Sequence, residues 1–187
     1  MNLLTTDEGE KTLRLARGVI EHIIAKKPKS VLALTPVFSD KRGVFVTLNK
    51  SGELRGCIGF PYPVMPLGDA IAEAAVAAAT GDPRFPPVHK DELSDIRLEV
   101  TILTVPVPIA GEPEKRFEKI EIGRHGLIAR SRGMSGLLLP QVAKEYGWDS
   151  ATFLDHTCNK AGLPGRCWTQ ANTEILTFEG QIFTEQR

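Results

Sequence analysis

The stretch GVFVTLNKSGELRGCIGF, residues 43–60, constrains the fold more than any other part of the chain. Val44, Val46 and Leu48 alternate with Phe45 and Thr47, the period of a strand with one buried face. The following NKSG is turn chemistry, so residues 43–48 and 54–60 read as a β-hairpin. In its second strand Leu54, Gly56 and Ile58 share one face, and Arg55, Cys57 and Gly59 share the other. That parity poses the functional question, because it sets a lone cysteine beside an arginine and away from the aliphatic side.

The remaining segments alternate between helix and strand signals. Residues 6–27 carry an apolar stripe (Leu13, Ala16, Val19, Ile20, Ile23, Ile24), a Thr5–Glu8 capping box at the start and Pro28 at the end. An alanine-rich helix runs from Pro66 to about Thr80 with Gly81 as its C-cap, and its small side chains allow close packing on a sheet. DPRFPP, with three prolines in six residues, ends that helix in a stiff loop displaying Arg84 and Phe85. IRLEVTILTV (96–105) alternates as a strand, and KIEIGRHGLIAR (119–130) reads as a second hairpin with its tip at residues 123–126. SGLLLP reads as a strand ending at Pro140, QVAKEYG as a short helix closed by Gly147, and SATFLDHTCNKAG as a helix capped by Asp149. EILTFEGQIF reads as a final strand pair. Hairpins imply antiparallel pairing, so the expected class is α+β: a mostly antiparallel sheet flanked by helices, forming one domain over residues 1–187 or two closely packed subdomains.

Composition narrows the function classes. Lys plus Arg equals Asp plus Glu, 23 each, so no global field draws the chain to nucleic acid or an anionic membrane. Three cysteines argue against a secreted disulfide scaffold, and the charged N-terminus lacks the apolar core of a signal peptide. No apolar run reaches membrane-spanning length, and the expected setting is cytoplasmic. Cys158 and Cys167 lie nine apart with no CxxC, which is not zinc spacing, and a cytoplasmic setting disfavours a disulfide between them. Neither a metal nor a cofactor is expected. Dinucleotide and P-loop glycine signatures are absent.

Several residues carry candidate chemistry, each beside a plainer alternative. A cation near a cysteine favours its nucleophilic thiolate, and Arg55 is two residues from Cys57 on the same face; the plainer reading is a packed core thiol. Gly56 and Gly59 leave room for a ligand or for another backbone. Arg84 starts from a proline-fixed position suited to clamping an oxyanion, or simply pairs with Asp82. His125 on a glycine-bracketed turn is placed for proton transfer, or is an ordinary exposed turn residue. His156 falls off the apolar stripe of its helix and is expected to be solvated; His22 and His89 look ordinary. Residues 115–132 hold six basic side chains against two acidic, a local excess that fits phosphates or a solvated face.

Taken in order, FVTLNKSGELRGCIGF, DPRFPPV, LEVTIL, GRHGLIAR, SGLLLPQVAKEYGWD and CNKAGLP…CW resemble the AMMECR-one domain family, whose signature hexapeptide is LRGCIG. The resemblance implies an α+β unit with a larger and a smaller subdomain, and a cleft lined by the signature strand. It places Leu54, Arg55, Gly56, Cys57, Ile58 and Gly59 in the signature. Asp82, Pro83, Arg84, Phe85 and Pro86 form the second motif, and Glu99 centres the third. His125 with Gly126, and Pro140 with Gln141, match two further elements. It also implies radical-SAM and Memo-type proteins as partners in a modification pathway, and a fold-level link to nucleotide- or nucleic-acid-handling domains. Nucleic acid is only a weakly supported partner by composition, and no membrane partner or oligomeric state is indicated.

Together these give a first reading as an enzyme acting on a nucleotide, a nucleic-acid base or a small anionic or acyl-like substrate. Cys57, Arg55, His125 and Glu99 would be its catalytic groups, and Gly56, Gly59, Asp82, Arg84, Phe85 and Gln141 its substrate-binding groups. The alternative is a non-catalytic ligand- or protein-binding module using the same cleft.

Overall fold

The computed structural model describes residues 3–28 and 32–186. The fold is α+β with antiparallel sheets, and the chain divides into two compact units. Unit 1 comprises Met1–Thr104 with Gln181–Arg187, and unit 2 is Val105–Gly180.

In unit 1 the opening helix α1 spans Thr6–Ala25, with the Thr5–Glu8 capping box formed at its start. It ends where Lys26 turns left-handed (φ 57°), two residues short of the sequence expectation and ahead of Pro28. Strands β1 (Val44–Lys50) and β2 (Glu53–Phe60) form the anticipated hairpin. Its turn residues Ser51 and Gly52 have φ of 54° and 87°, the positive values that match the twist of a tight hairpin. Strand β3 (Ile96–Leu103) pairs antiparallel with the other edge of β1. Val44, Val46 and Leu48 of β1 and Leu98, Val100 and Ile102 of β3 are all buried on one face. They form a core with Ala16 and Ile20 of α1 and with Ala70, Ala74, Ala75 and Ala78 of helix α2 (Leu67–Thr80). Each large side chain so buried contributes about 1.5–3 kcal/mol. The alanines bring α2 so near the sheet that a Cβ at Gly56 would lie 2.3 Å from the Ala78 carbonyl oxygen.

In unit 2, strand β4 is the short Val107–Pro108, and β5 (Gly126–Ser131) and β6 (Met134–Leu138) form a hairpin. Helix α3 spans Pro140–Glu145, α4 spans Ser150–Lys160, and strand β7 spans Glu174–Phe178. Asp149 caps α4 as expected, accepting from Thr152 N–H at 2.8 Å. The sheet order is β4-β7-β5-β6, with Leu127, Ala129 and Ile175 packed on Phe153, Leu154 and Trp168.

Three expectations are corrected. The hairpin at 119–130 does not form. Pro113–Lys119 is a 3₁₀ helix, and the Glu121 carbonyl then accepts from both Arg124 and His125 N–H, closing a turn before β5 begins. Two alternating isoleucines are too short a run to outweigh that turn. The final two strands do not pair: β7 lies in the unit 2 sheet, whereas β8 (Gly180–Thr184) joins the unit 1 sheet, in the order β2-β1-β3-β8. Finally, Cys158 and Cys167 are joined by a disulfide, since the turn after α4 brings their Cα atoms to 5.9 Å.

Candidate functional site

Cys57 sits on the side of the β-sheet that faces away from α1 and α2. Thr47 is its partner on β1, and Glu99 on β3 is in turn the partner of Thr47. Partnered residues project to the same face, so Cys57, Thr47 and Glu99 stand in one row across three strands. All three are partly exposed. Two strand spacings put the Cα atoms of Cys57 and Glu99 about 10 Å apart. Thr47 Oγ1 donates to Cys57 Sγ at 3.3 Å, giving the sulfur a neutral hydrogen-bond donor.

The backbone on which that sulfur rides is clamped from the proline-rich loop. Cys57 N–H donates to Asp82 Oδ2 at 2.8 Å, while Arg84 Nη2 donates to the Cys57 carbonyl at 3.1 Å. Asp82 and Arg84 are themselves locked together: Nε donates to Oδ1 at 3.0 Å, Nη2 to Oδ2 at 2.7 Å, and Arg84 N–H to Oδ1 at 3.0 Å. Pro83 between them helps hold the backbone for this i, i+2 fork. Asp82 is buried, and its bond from Arg84 holds its carboxyl well below the ordinary carboxylate range, against the opposing effect of burial. The Arg84 guanidinium is raised above its usual value, chiefly by the same bond, with a smaller contribution from charge on Cys57. Its side chain remains 53% exposed, stacked 5.5 Å from the centre of the half-buried Phe85 ring. The plain pairing with Asp82 and the clamp on Cys57 are therefore one arrangement.

Arg55 is placed differently from its expected role. Nε and Nη2 grip the two Glu92 oxygens at 3.0 and 2.9 Å, and Nη1 donates to the Pro86 carbonyl at 2.9 Å. Lys50 Nζ joins Glu92 at 3.0 Å, and His89 N–H donates to it at 2.9 Å. These bonds, Arg55 first, hold the Glu92 carboxyl well below its usual range. Arg55 thus ties β2 to the proline loop, and the cation that contacts Cys57 is Arg84, through the Cys57 carbonyl. Gly56 faces the core and admits the α2 backbone; Gly59 lies under the Phe45 ring, where a Cβ would approach to 2.5 Å.

His125 and Gln141 belong to unit 2. His125 Nδ1 accepts from Glu121 N–H at 3.1 Å, which leaves the ring proton on Nε2, and Gln141 is exposed in the first turn of α3. His156 is exposed as expected, yet its ring stacks 3.8 Å from that of Trp148. The basic run 115–132 does not make one face: Arg116 is buried, Lys115 pairs with Glu112, and Arg124 pairs with Glu121 and Glu179. Two contributors were not read from the sequence. Thr47 was visible only as an alternating strand residue, since its contact with Cys57 depends on register. Glu92 sits in an ordinary charged stretch, HKDEL, and its only local signal is the three-residue spacing from His89.

A sequence profile of the AMMECR1 family matches residues 13–183. A protein of Methanosarcina barkeri, Mbar_A1807, is 52% identical over 98% of this chain and 93% of its own length. Protein MK0488 of Methanopyrus kandleri is 51% identical over 98% of this chain and 91% of its own. Among solved structures, the uncharacterized protein PH0010 of Pyrococcus horikoshii superposes with a TM-score of 0.81 at 45% identity, covering 98% of this chain and 94% of that one. With the match running through both units and across the LRGCIG strand, this chain belongs to the AMMECR1 family.

Proposed function

We propose that the face of the unit 1 sheet opposite α1 and α2 is an enzyme site in which Cys57 is the nucleophile or covalent anchor for a small anionic substrate. The observation that carries this reading is the fixing of Cys57 from both sides. Its N–H and C=O are held by Asp82 and Arg84 while its sulfur stays partly exposed and accepts from Thr47. A core thiol needs no such clamp, whereas a reacting atom gains from a fixed position. The thiolate accepts hydrogen bonds, and Thr47 is placed to donate one. Arg84, half in solvent, offers its remaining guanidinium edge to an oxyanion.

In a transfer step the Cys57 thiolate supplies the electron pair for a new S–C bond at the substrate's electrophilic carbon. The leaving group departs with the pair of the bond that breaks and takes up a proton. Water then releases the product and restores the thiolate. The Cα spacing of about 10 Å from Cys57 to Glu99 leaves room for a small substrate lying over Thr47, with Glu99 serving the far end.

The experiment is the rate of iodoacetamide alkylation against pH on the unreduced protein, where the disulfide leaves Cys57 as the one free thiol. The expected result is rapid labelling of the folded protein near neutral pH, slowed in Thr47→Val and in Arg84→Gln. Labelling that proceeds only on unfolding, or is indifferent to both substitutions, sinks the nucleophile. If Cys57→Ala keeps full function in complementation, the site binds without covalent chemistry.

A further inference from the structure

Unit 2 carries a polar pocket of about 540 Å³, built where the β5–β6 turn meets the loop that follows α4. Two of its lining residues are arginines, Arg132 and Arg166, and none is Asp or Glu. In a chain with equal numbers of acidic and basic residues this is a local imbalance. Elsewhere the arginines are engaged: Arg17, Arg55 and Arg84 each hold a carboxylate. Among the described residues neither the Arg132 nor the Arg166 guanidinium has a hydrogen-bond or ion-pair partner, and both residues are exposed.

The backbone beneath them is held in place. Arg132 and Arg166 have φ of 51° and 59°, the left-handed conformation that glycine adopts without strain. Ser131 Oγ donates to the Asn172 carbonyl at 3.1 Å, linking the β5–β6 turn to the 166–173 loop. Thr169 Oγ1 donates to the Arg166 carbonyl at 3.0 Å, and the disulfide anchors Cys167 beside it. Asp155 is the nearby acid, and its Oδ1 is occupied by Arg166 N–H at 2.9 Å and Trp168 Nε1 at 2.7 Å. A third cation lies behind the loop. Arg116 is buried, forms no ion pair among the described residues, and donates Nη1 to the Trp168 and Gln170 carbonyls at 2.6 and 3.4 Å. Burial lowers its pKa, with Glu114 opposing, as expected for a guanidinium that meets carbonyls instead of a carboxylate.

We propose that this pocket binds a phosphate group, with Arg132 and Arg166 as its two guanidinium ligands. Two guanidiniums on separate turns suit an anion with several oxygens, and a phosphate carries enough for both. Met134, Leu163 and Pro164 give the same pocket an apolar wall, so the phosphate is that of a small ester whose body lies on this wall. The site is independent of Cys57, and its ligand does not depend on the reaction assigned there.

Isothermal titration of the whole, unreduced protein with inorganic phosphate and with phenyl phosphate tests this, beside Arg132→Gly and Arg166→Gly. Glycine removes the charge while accepting the left-handed backbone, so both variants should retain the native circular dichroism and melting transition. The expected result is saturable binding that weakens about tenfold or more in each variant. Tighter binding of phenyl phosphate identifies an ester as the ligand; equal binding identifies free phosphate. Absence of saturable binding of both probes overturns the proposal. So does binding that survives both substitutions or is lost in Arg84→Gln instead, since either would put the anion elsewhere.

Discussion

The two units solve the same packing problem and then use cysteine and arginine in opposite ways. In each, a strand glycine admits a helix backbone: a Cβ at Gly56 would meet the Ala78 carbonyl oxygen of α2 at 2.3 Å, and a Cβ at Gly136 would meet Ala161 N at 2.2 Å. In unit 1 the neighbouring cysteine points to the other face of the sheet and stays a free thiol, while the cysteines of unit 2 are buried and oxidised. Unit 1 spends Arg55 and Arg84 on bidentate carboxylate bonds that shape the backbone around Cys57. Unit 2 leaves Arg132 and Arg166 without partners among the described residues. The lesson is that an arginine beside a candidate site is not thereby a ligand. A guanidinium filled by a carboxylate first positions other atoms and keeps only its remaining edge for a ligand, as Arg84 does, whereas an unfilled one is available whole.

The shared part of this comparison breaks most visibly at the glycines. Gly56→Ala and Gly136→Ala each force a helix backbone to shift, and each should destabilise its unit by about 3 kcal/mol. Both tryptophans, Trp148 and Trp168, lie in unit 2, so their fluorescence during denaturant unfolding reports Gly136→Ala; amide exchange in β1 and β2 reports Gly56→Ala. A neutral result at either position would remove the packing parallel.

The next effect sharpens the contrast in cysteine chemistry. Reducing Cys158–Cys167 opens a loop between residues nine apart and should cost about 2–3 kcal/mol, read as a lower denaturant midpoint of the tryptophan signal. Mass spectrometry after alkylation should show one adduct without reductant and three after reduction and unfolding.

The smallest effect concerns the clamp. Asp82→Asn keeps the shape but loses the charge that Arg84 and Cys57 N–H bind, and should cost about 1–2 kcal/mol, with faster exchange of the Cys57 amide. The pH dependence follows from the lowered carboxyls of Asp82 and Glu92. Their contribution is complete above the ordinary values of 3.8 and 4.5, and it is lost as pH falls below those values and through the lower folded ones. Stability of unit 1 should therefore fall on acidification in that window, and Asp82→Asn should flatten the fall. An unchanged acid profile in the variant would show that the clamp carries no net charge coupling.

Much of the architecture was legible because it is set by periods of a few residues. The β1–β2 hairpin, the capping box at Thr5, the alanine-rich α2 and the cap at Asp149 all follow from local pattern, and so does the parity that puts Cys57 opposite the core. The 119–130 hairpin failed because its alternation was short and a turn at Glu121 competed with it. The pairing of β7 with β8 failed because adjacency in sequence does not say which sheet a strand joins. The disulfide was disfavoured from an assumed compartment, whereas what decides it is the geometry of the turn after α4.

The candidate site divides along the same line. By itself the sequence determined which residue types were present, which strand face Cys57 occupies and that Arg84 starts from a stiffened loop, because all of these are short-range properties of the chain. Only the tertiary structure decided that Thr47 and Glu99 share the row of Cys57, that Glu92 takes Arg55, and that Asp82 and Arg84 grip the Cys57 backbone. Those outcomes depend on strand register and loop closure between residues from 10 (Thr47 and Cys57) to 52 (Thr47 and Glu99) positions apart. Hydrogen bonds reach about 3 Å, so a partner is fixed only once the fold has brought it there.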